Sequence, residues 1–421
     1  MNRIALFPLA LILATPALAA PPRSPEQVAA AALKAAPVWD GHNDVPEQLR
    51  NRIGSLLNEF DFRDTRATAR DGKAAMHTDL SRLRQGQVGA QFWSVYVDHT
   101  LPEPEAVRQT IEQIDTVKRL VARYPGELAL ATSVAEVERA RKAGKIASLI
   151  GIEGGGSIGG SLGVLRQMYA LGARSMTLAH NRTLAWADSS SDAPRHGGLT
   201  GFGQQVVREM QRLGMLVDLS HCAEATMMDA LDVAGAPVMF THSNARAVAR
   251  HPRNVPDAVL DRMKANGGIV MVTAVLNFLS EDYRGWAADR AGEEARLKSL
   301  HTGYPDRVAP ALAAWVAAHP APAVSVSQIA DHIDHIARRI GVDHVGIGGD
   351  FDGTDELPTG FGDASAYPTL FAELARRGYS QADLEKISSR NMLRVMRAAE
   401  AYAETHRGDP PIETKAVTVG G

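Results

Sequence analysis

The chain has 421 residues, of which 45% are hydrophobic and 22% are charged, and its formal net charge is −3. These proportions are ordinary for a globular protein with a large core. The charge offers no basic surface for nucleic acid, so no nucleic-acid partner is expected. The length permits two or three domains, although α/β barrels of this size commonly form one unit.

The first twenty residues (1–20) predict a secretory signal peptide. Arg3 is followed by an apolar run over 4–13 and then by small residues that include Ala19 and Ala20. Cleavage is expected after Ala19 or Ala20. An uncleaved anchor helix is disfavoured because two prolines interrupt a run that is already short for a bilayer. We therefore expect an exported protein, periplasmic or secreted, with no stable membrane anchor.

The segment 21–405 alternates apolar strand-like runs with amphipathic helical stretches, and the polar segment 406–421 is predicted to be a flexible tail. Strand–helix alternation predicts a parallel sheet, and eight strands predict its closure into a single (β/α)8 barrel of the TIM type. An open doubly wound sheet is the alternative, but it would place ligands at one switch point rather than at many strand ends. The predicted strands cover 37–44, 89–97, 147–155, 174–181, 215–221, 237–242, 267–275 and 344–353. The main predicted helices cover 24–33, 102–124, 202–214, 256–267, 325–341 and 380–402.

Two features stand apart from this regular pattern. An insert over 279–324 ends in an Ala/Pro-rich stretch, and a surface excursion is its simplest interpretation. A lid or a subunit contact is the alternative, and a homodimer stays open. Cys222 is the one cysteine of the sequence, so no intramolecular disulfide can form. Because Cys222 directly follows His221, it could be read as a zinc ligand. Neighbouring residues on a strand point to opposite faces, however, so if His221 faces the site Cys222 does not, and we interpret Cys222 as a buried structural thiol.

Residue types that bind metals or transfer protons stand where the predicted strands end. Side chains at the same end of successive parallel strands converge on one point, which is how barrel enzymes assemble an active site. The pattern therefore predicts a metal-dependent hydrolase. The seven residues are His42, Asp44, Glu153, His180, His221, His242 and Asp350.

Five of the seven suit a metal centre. His42 and Asp44 are the strongest local signal, because residues i and i+2 of an extended segment point the same way and zinc accepts both ligand types. Two neutral imidazoles from neighbouring strands, His221 and His242, suit a second zinc ion. Glu153 enters a glycine-rich turn, where its carboxylate could bridge two cations. A phosphate-binding loop is the alternative for this turn, but the turn has no GxxxxGK[ST], and its glycines are not expected to form the GxGxxG pattern at a strand-to-helix junction.

The other two strand-end residues are expected to act on the substrate. His180 would overfill the metal site as a sixth side-chain ligand, so an electrophile near the substrate carbonyl is its preferred role. Asp350 could serve as general base or proton shuttle. A calcium loop built from Asp350, Asp352 and Asp355 is the alternative, but its glycine comes too early for the EF-hand pattern.

At these residues the sequence resembles the membrane dipeptidase (renal dipeptidase) family of zinc peptidases, among the amidohydrolase-like barrel enzymes. The resemblance covers about residues 38–396 and rests on several ordered blocks. It implies a metallodipeptidase that hydrolyses small dipeptides through a hydroxide bridging two zinc ions and that accepts a D-residue at the C-terminal position. The blocks are DGHND (40–44), GAQFWSVY (89–96), ASLIGIEGG (147–155), LAHNRTLAWADS (178–189), HSNARAVARHPRNVPD (242–257) and VGIGGDFDG (345–353).

The resemblance also implies a role for each metal-binding residue. His42 and Asp44 would bind one zinc ion and His221 and His242 the other, with Glu153 bridging both.

Four further positions are assigned to the substrate by the same resemblance. Asp350 would take the catalytic proton and deliver it to the leaving amine, and His180 would polarise the scissile carbonyl. Arg253 would bind the substrate's terminal carboxylate, to which its planar fork is suited. Phe278 stands where mammalian relatives carry a tyrosine near the substrate, so one polar contact is expected to be missing.

Two alternative functions stay open. Another barrel metallohydrolase, such as a lactonase, phosphotriesterase or deaminase, often bridges its metals with a lysine, whereas the strand ends here offer Glu153. A non-catalytic exported binding protein built on a decayed barrel predicts damaged ligand positions, and all seven positions are intact.

Overall fold

The computed structural model describes residues 23–69 and 74–417, so the predicted signal peptide lies outside the described residues. Within them, strands and helices alternate along the chain. The strands are β1 (Val38–Asn43), β2 (Val88–Tyr96), β3 (Leu128–Leu130), β4 (Ile146–Glu153), β5 (Ala173–Thr177), β6 (Leu216–Asp218), β7 (Met239–Phe240), β8 (Ile269–Val272) and β9 (Val345–Ile347).

Helices follow most strands. They are α1 (Pro25–Ala35), α2 (Val45–Ile53), α3 (Leu80–Gln85), α4 (Glu103–Arg123), α5 (Val134–Lys142), α6 (Leu162–Ala170), α7 (Gly201–Leu213), α8 (Glu224–Val233), α9 (Asp257–Asn266), α10 (Leu276–Leu279), α11 (Glu281–Leu300), α12 (Val308–Ala318), α13 (Val326–Ile340), α14 (Tyr367–Arg376), α15 (Gln381–Glu385) and α16 (Asn391–Thr405).

Eight of the strands close into a parallel barrel. β1 pairs with β2 on one side and with β9 on the other, β2 also pairs with β4, and the order then runs from β4 to β9 without interruption. Asp40 strengthens the closure, because its Oδ1 accepts the N–H groups of His42 at 3.1 Å and Gly349 at 2.9 Å. The predicted (β/α)8 barrel is thus confirmed.

Alternate residues of each strand pack on different sides of the barrel wall. In β4, Leu149 joins a buried cluster with Trp39 and Phe92, whereas Ile150 and Ile152 join the larger cluster that includes the surrounding helices. Burying one large apolar side chain contributes roughly 1.5–3 kcal/mol to the free energy of unfolding. These two layers therefore supply most of the stability of a protein that has no disulfide.

Most strands are shorter than the apolar runs that predicted them, and β2 is the exception. The strand predicted by the run 174–181 covers Ala173–Thr177, and the strand predicted by the run 344–353 covers Val345–Ile347. The remaining residues of each run turn into the loops above the barrel. One further strand, Leu128–Leu130, pairs with the start of β4 and was not predicted, because three residues show no period.

The predicted insert 279–324 consists largely of α11 and α12, which pack against each other with mostly exposed side chains. His332 of α13 fixes the start of this segment. Its Nδ1 accepts the N–H of Ala245 at 3.0 Å, and its Nε2 donates to the carbonyl of Leu279 at 3.1 Å. Burial lowers the pKa of His332 to about 4, so the ring stays neutral with its hydrogen on Nε2.

The described part of the C-terminal tail lies against the barrel. The N–H of Ile412 donates to the carboxylate of Glu209 at 3.2 Å, and the N–H of Val417 donates to the carbonyl of Gly160 at 3.0 Å. Over residues 23–69 and 74–417, no helix has both the length and the apolar character that a membrane span needs.

Candidate metal centre and active site

The seven predicted residues meet at the carboxyl ends of the barrel strands. His42 and Glu153 belong to β1 and β4, and the other five stand in the loops that follow strands. The geometric reason given for His42 and Asp44 is wrong in one respect. Asp44 has left the extended backbone and holds the N-cap position of α2, with φ −98° and ψ 22° and no side-chain capping hydrogen bond. The two side chains still approach each other, with 3.3 Å between His42 Nε2 and Asp44 Oδ2.

Glu153 lies at the centre and presents its two carboxylate oxygens to different neighbours. Oε2 is 3.5 Å from His42 Nε2 and accepts the hydroxyl of Ser94 at 3.0 Å. Oε1 is 3.1 Å from His221 Nε2 and 3.4 Å from His242 Nε2. One oxygen therefore faces the side of His42, and the other faces the two histidines that follow β6 and β7.

Hydrogen bonds behind His221 and His242 turn their free nitrogens inward. His221 Nδ1 lies 3.0 Å from Asn181 Oδ1, an acceptor, so this nitrogen carries the hydrogen. His242 Nδ1 lies 2.9 Å from the hydroxyl oxygen of Thr241, which in turn donates to Asp218. In both rings the Nε2 lone pair is left facing the other ring, with 3.0 Å between the two Nε2 atoms. This is the arrangement by which proteins orient imidazole ligands toward a metal.

Burial and mutual contact shift the pKa values of these groups strongly, in opposite directions. Burial, reinforced by the positive charge of Arg253, holds the pKa values of His221 and His242 well below the usual range, so both rings are neutral. Burial would raise the pKa of Glu153, but His42 and His180 outweigh it and hold that pKa well below its usual range. Burial opposes protonation of His42 too, yet the carboxylates of Glu153 and Asp44 keep its pKa well above normal. Neutral His221 and His242 and ionised Glu153 can therefore act as ligands, whereas His42 must release its proton to bind a metal.

Asp350 is a buried carboxyl group beside His42. Burial raises its pKa to about 8, with His42 opposing and Asp44 and Glu153 reinforcing the shift. Its Oδ1 lies 4.0 Å from His42 Nε2. Gly353 makes room for it, because a Cβ at that position would overlap the carboxylate oxygens of both Asp44 and Asp350.

Left-handed backbone marks the loops of the site. His221 (φ 65°), Asp350 (φ 59°) and Asp352 (φ 69°) occupy a region that non-glycine residues enter at a cost of about 1–3 kcal/mol each, and such residues cluster at functional sites. The calcium-loop alternative is not supported, because Asp352 Oδ1 accepts the N–H of His77 at 2.7 Å and Asp355 is exposed.

His180 lies beside the same cluster. Its Nε2 is 3.5 Å from Glu153 Oε1, and its ring makes tilted contacts with the rings of Tyr96 and His221 at centroid distances of 4.6 Å and 4.0 Å. Glu153, His180 and His221 come close enough together to hold an ion, so position alone leaves both ligation and substrate contact open to His180. Cys222, in contrast, is a buried thiol as predicted, and burial raises its pKa to about 12.

Arg253 is a buried cation whose hydrogen-bonding capacity is barely used. Its side chain donates only two long bonds, 3.4 Å to Ser243 Oγ and 3.4 Å to the carbonyl of His242, and its Nε has no partner among the described residues. The residue is 2% exposed, and burial lowers its pKa to about 10. Its guanidinium also lies 5.2 Å from the ring of Phe278. A guanidinium held in this way can receive an anion.

Two cavities open onto the cluster. The first, which we call the polar cavity, has a volume of 650 Å³ and contains Arg253, Phe278, Glu47 and all the strand-end residues except His42 in its wall. The second, the apolar cavity, has a volume of 490 Å³ and lies under the loops that follow β2, β4 and β5. Glu153, His180 and His99 line both cavities, so the two adjoin at these residues.

Sequence reasoning missed the residues that support the site from behind. Asp218 accepts the hydroxyls of Thr177 at 2.5 Å and Thr241 at 2.7 Å, which ties β5, β6 and β7 together beneath the histidines. Its place in the run MLVDLSH, where it ends β6 three residues before His221, is the one local signal. Asn181 and Gly353 have no local signal, because their importance depends on contacts between loops.

The donor set fits zinc. Imidazole nitrogens and carboxylate oxygens are its usual protein ligands, and three overlapping groups of these atoms lie within 4.8 Å of one another. The groups are His42, Glu153 and His242, then Glu153, His180 and His221, then His42, Asp44 and Asp350.

Comparison with known proteins places this barrel and its ligands in a family. The family model for membrane dipeptidase, peptidase family M19, matches residues 26–409. The chain belongs to this family. The resemblance read from the sequence is thereby confirmed, and with it a metallopeptidase of the dipeptidase type.

Similar proteins are found among curated sequences and solved structures. The chain is 39% identical over 384 residues to dipeptidase 3 of Macaca fascicularis, covering 90% of this chain and 68% of that protein. It is 39% identical over 375 residues to dipeptidase verJ of Clonostachys rogersoniana, covering 86% and 84%. The probable dipeptidase PvdM of Pseudomonas aeruginosa shares the fold with a TM-score of 0.75 at 23% identity, over 90% of this chain and 99% of that one. A Rhodobacter sphaeroides metallo peptidase liganded with a phosphinate mimic of the dipeptide L-Ala-D-Ala has a TM-score of 0.70 at 23% identity, over 86% and 99%.

Proposed function

We propose that this member of the family is a two-zinc dipeptidase that also accepts a D-residue at the C-terminal position. The observation that carries the proposal is the arrangement of Glu153 and Arg253. Glu153 offers one oxygen to His42 and the other to His221 and His242, as a carboxylate shared by two ions would. Arg253 lines the same cavity as a buried cation with unused donors.

The proposed ligands form two sets around Glu153. His42 and Asp44 hold one ion, and His221 and His242 hold the other. When bound, two zinc ions would supply a bridging hydroxide near neutral pH and would stabilise negative charge on the substrate.

The remaining residues bind and orient the substrate. Arg253 takes the C-terminal carboxylate through its planar fork, which fixes the distance between that end and the cleaved bond. His180 contacts the scissile carbonyl through Nε2, which faces Glu153 across 3.5 Å. A substrate with its carboxylate at Arg253 and its carbonyl at His180 has a single amide bond in reach, which accounts for a preference for dipeptides.

Asp350 moves the proton. As a carboxylate it accepts a proton from the attacking water, and as the acid it delivers that proton to the leaving amine. Its pKa, which burial raises to about 8, suits both halves of this exchange near neutral pH. The proposed acceptance of a D-residue is supported by the ligand of the Rhodobacter sphaeroides protein, a mimic of L-Ala-D-Ala.

The proposal is tested with metal-loaded protein on L,L, L,D and D,D forms of Ala-Ala, beside a lactone and a phosphotriester. We expect hydrolysis of L-Ala-L-Ala and L-Ala-D-Ala and a bound zinc content of two per chain. Chelation should remove the zinc and abolish the hydrolysis of both dipeptides. Turnover of the ester or the lactone with inert dipeptides would overturn the proposed substrate class.

We also propose that residues 1–20 direct export. Fractionation of cells that produce the full chain tests this, because the mature protein should begin at Ala20 or Pro21 and appear outside the cytoplasm. Recovery of uncleaved chain from the cytoplasm would contradict it.

A further inference from the structure

A buried carboxylate lies beneath the histidines that follow β6 and β7, and no proposed step of metal binding or hydrolysis uses it. This residue, Asp218, ends β6 and is 1% exposed. Its Oδ1 accepts the N–H groups of Ser220 and Thr241, each at 3.0 Å. Its Oδ2 accepts the hydroxyls of Thr177 at 2.5 Å and Thr241 at 2.7 Å. Because all four partners donate to its oxygens, Asp218 is held in the ionised form, which only accepts.

Thr241 connects this anion to His242. A threonine hydroxyl has one hydrogen, and the hydroxyl of Thr241 donates it to Asp218 Oδ2. The Thr241 oxygen is then an acceptor for His242 Nδ1, which lies 2.9 Å away. The hydrogen of the neutral ring is thereby placed on Nδ1, and the lone pair of Nε2 stays free. We call the chain of Asp218, Thr241 and His242 the relay.

His221 is held by a different kind of partner. Its Nδ1 lies 3.0 Å from Asn181 Oδ1, the oxygen of an uncharged amide. Hydrogen bonds that involve an ionised group are stronger than neutral ones, and a carboxylate behind an imidazole makes the opposite nitrogen a stronger metal ligand. Of the two histidines, His242 should therefore be the better ligand.

The proposed metal centre needs such a reinforcement on this side. The ion assigned to His42 also has the carboxylate of Asp44, and Glu153 is shared by both ions. The ion assigned to His221 and His242 has two neutral rings, so Glu153 is its one charged ligand among the proposed set. The relay brings a second negative charge close to this ion without direct ligation.

We propose that Asp218 is a positioning residue of the metal centre, which acts through Thr241 to orient His242 and to strengthen it as a metal ligand. The inference rests on the proposed function, because it takes His242 to be a zinc ligand. The relay should hold the His242 hydrogen on Nδ1 before any ion binds, so that no proton has to move when zinc enters.

A purely structural role for Asp218 makes a different prediction. The same carboxylate joins β5, β6 and β7, so its replacement would weaken the barrel whatever it does for the metal. Thr177 provides the matched control. Its hydroxyl donates to the same Oδ2 as that of Thr241, and both residues are buried. Of these two hydroxyls, that of Thr241 is the one hydrogen-bonded to a proposed ligand.

The experiment compares wild type, Thr241→Val, Thr241→Ser and Thr177→Val. Competition with a chromophoric zinc chelator gives the two zinc dissociation constants of each protein. Losing the partner behind a metal-bound histidine typically weakens metal binding about 10–100-fold, so one of the two constants should rise by this factor in Thr241→Val. Thr241→Ser, which keeps the hydroxyl, and Thr177→Val should bind both ions as wild type does.

A second measurement depends on neither turnover nor a substitution in the relay hydroxyl. In metal-free wild type with isotopically labelled histidine, nuclear magnetic resonance should place the ring hydrogen of His242 on Nδ1. The resonance is assigned by its absence in His242→Gln. If Thr241→Val does not fold, this spectrum still decides the matter, because a hydrogen on Nε2 in wild type contradicts the relay.

The possible failures are distinguishable. Unchanged zinc affinity in folded Thr241→Val, an equal loss in Thr177→Val, or no recovery in Thr241→Ser would overturn the relay and leave the dipeptidase proposal in place. A wild type that binds two zinc ions tightly yet hydrolyses no dipeptide would overturn the proposed function and not the relay. A wild type that binds no zinc would overturn both.

Discussion

Replacing Arg253 with methionine tests how the site recognises a dipeptide. Methionine keeps the apolar stem of the side chain and removes the guanidinium, whose donors are free apart from two bonds of 3.4 Å. Removing one partner of a buried, hydrogen-bonded charge pair costs about 2–5 kcal/mol. We take about 3 kcal/mol, which lowers kcat/KM for a dipeptide roughly 150-fold.

The loss should appear in KM rather than in kcat. The C-terminal carboxylate lies away from the cleaved bond, so its contact with Arg253 is equally strong in the bound substrate and in the transition state. Ala-Ala and its C-terminal amide are therefore assayed with both proteins. The amide, which lacks the carboxylate, should be a poor substrate for wild type and should lose little further in the variant.

A structural role for Arg253 would give a different result. Burial lowers the pKa of Arg253 to about 10, so the folded state disfavours its charged form and methionine should not lower the melting temperature. Arg250→Met, an exposed arginine on the same loop, is the matched control and should leave KM unchanged. If wild type hydrolyses Ala-Ala and its amide at equal rates, the reasoning about Arg253 is refuted.

Three further changes test other parts of the structure. Asp350→Asn should lower kcat about 10²–10⁴-fold while zinc content stays at the wild-type value, and unchanged kcat would remove Asp350 from proton transfer. Gly353→Ala should displace the carboxylates of Asp44 and Asp350, lowering both zinc content and kcat at least tenfold in a protein that still folds by circular dichroism. His332, whose pKa falls to about 4 in the folded state, binds its proton more readily when unfolded, so its contribution to stability is lost as pH falls below about 6.5. Denaturant unfolding of the apo protein should show wild type losing about 2 kcal/mol more than His332→Gln between pH 7 and pH 5, and parallel losses would contradict this.

The barrel could be predicted from the sequence because the same strand–helix pattern is repeated along it. Eight apolar runs alternate with helical stretches, and the error at any one boundary does not change the topology. Boundaries were less accurate. Asp44 was assigned to the first strand, yet it stands at the start of α2, because a polar residue after an apolar run fits either a strand end or a helix cap.

The site residues were predictable for the same positional reason, and their supporting contacts were not. Strand ends alone bring Glu153 and His221 together. The contact between His221 and Asn181 joins loops that follow two different strands. It also depends on a left-handed φ at His221, which no sequence pattern predicts. The need for a glycine at position 353 likewise cannot be predicted from the sequence, because it depends on where the surrounding carboxylates lie in the folded protein.

The pairing of β1 with β9 has a consequence for how this protein matures. His42 lies in the first strand of the barrel and Asp350 follows the last, so the complete active site exists only when the two ends of the sheet have met. A chain released before β9 is made contains all five proposed metal ligands but lacks Asp350, the proposed carrier of the catalytic proton. Catalytic activity, rather than metal uptake, should therefore report complete synthesis and closure, and ion binding should stabilise the folded barrel.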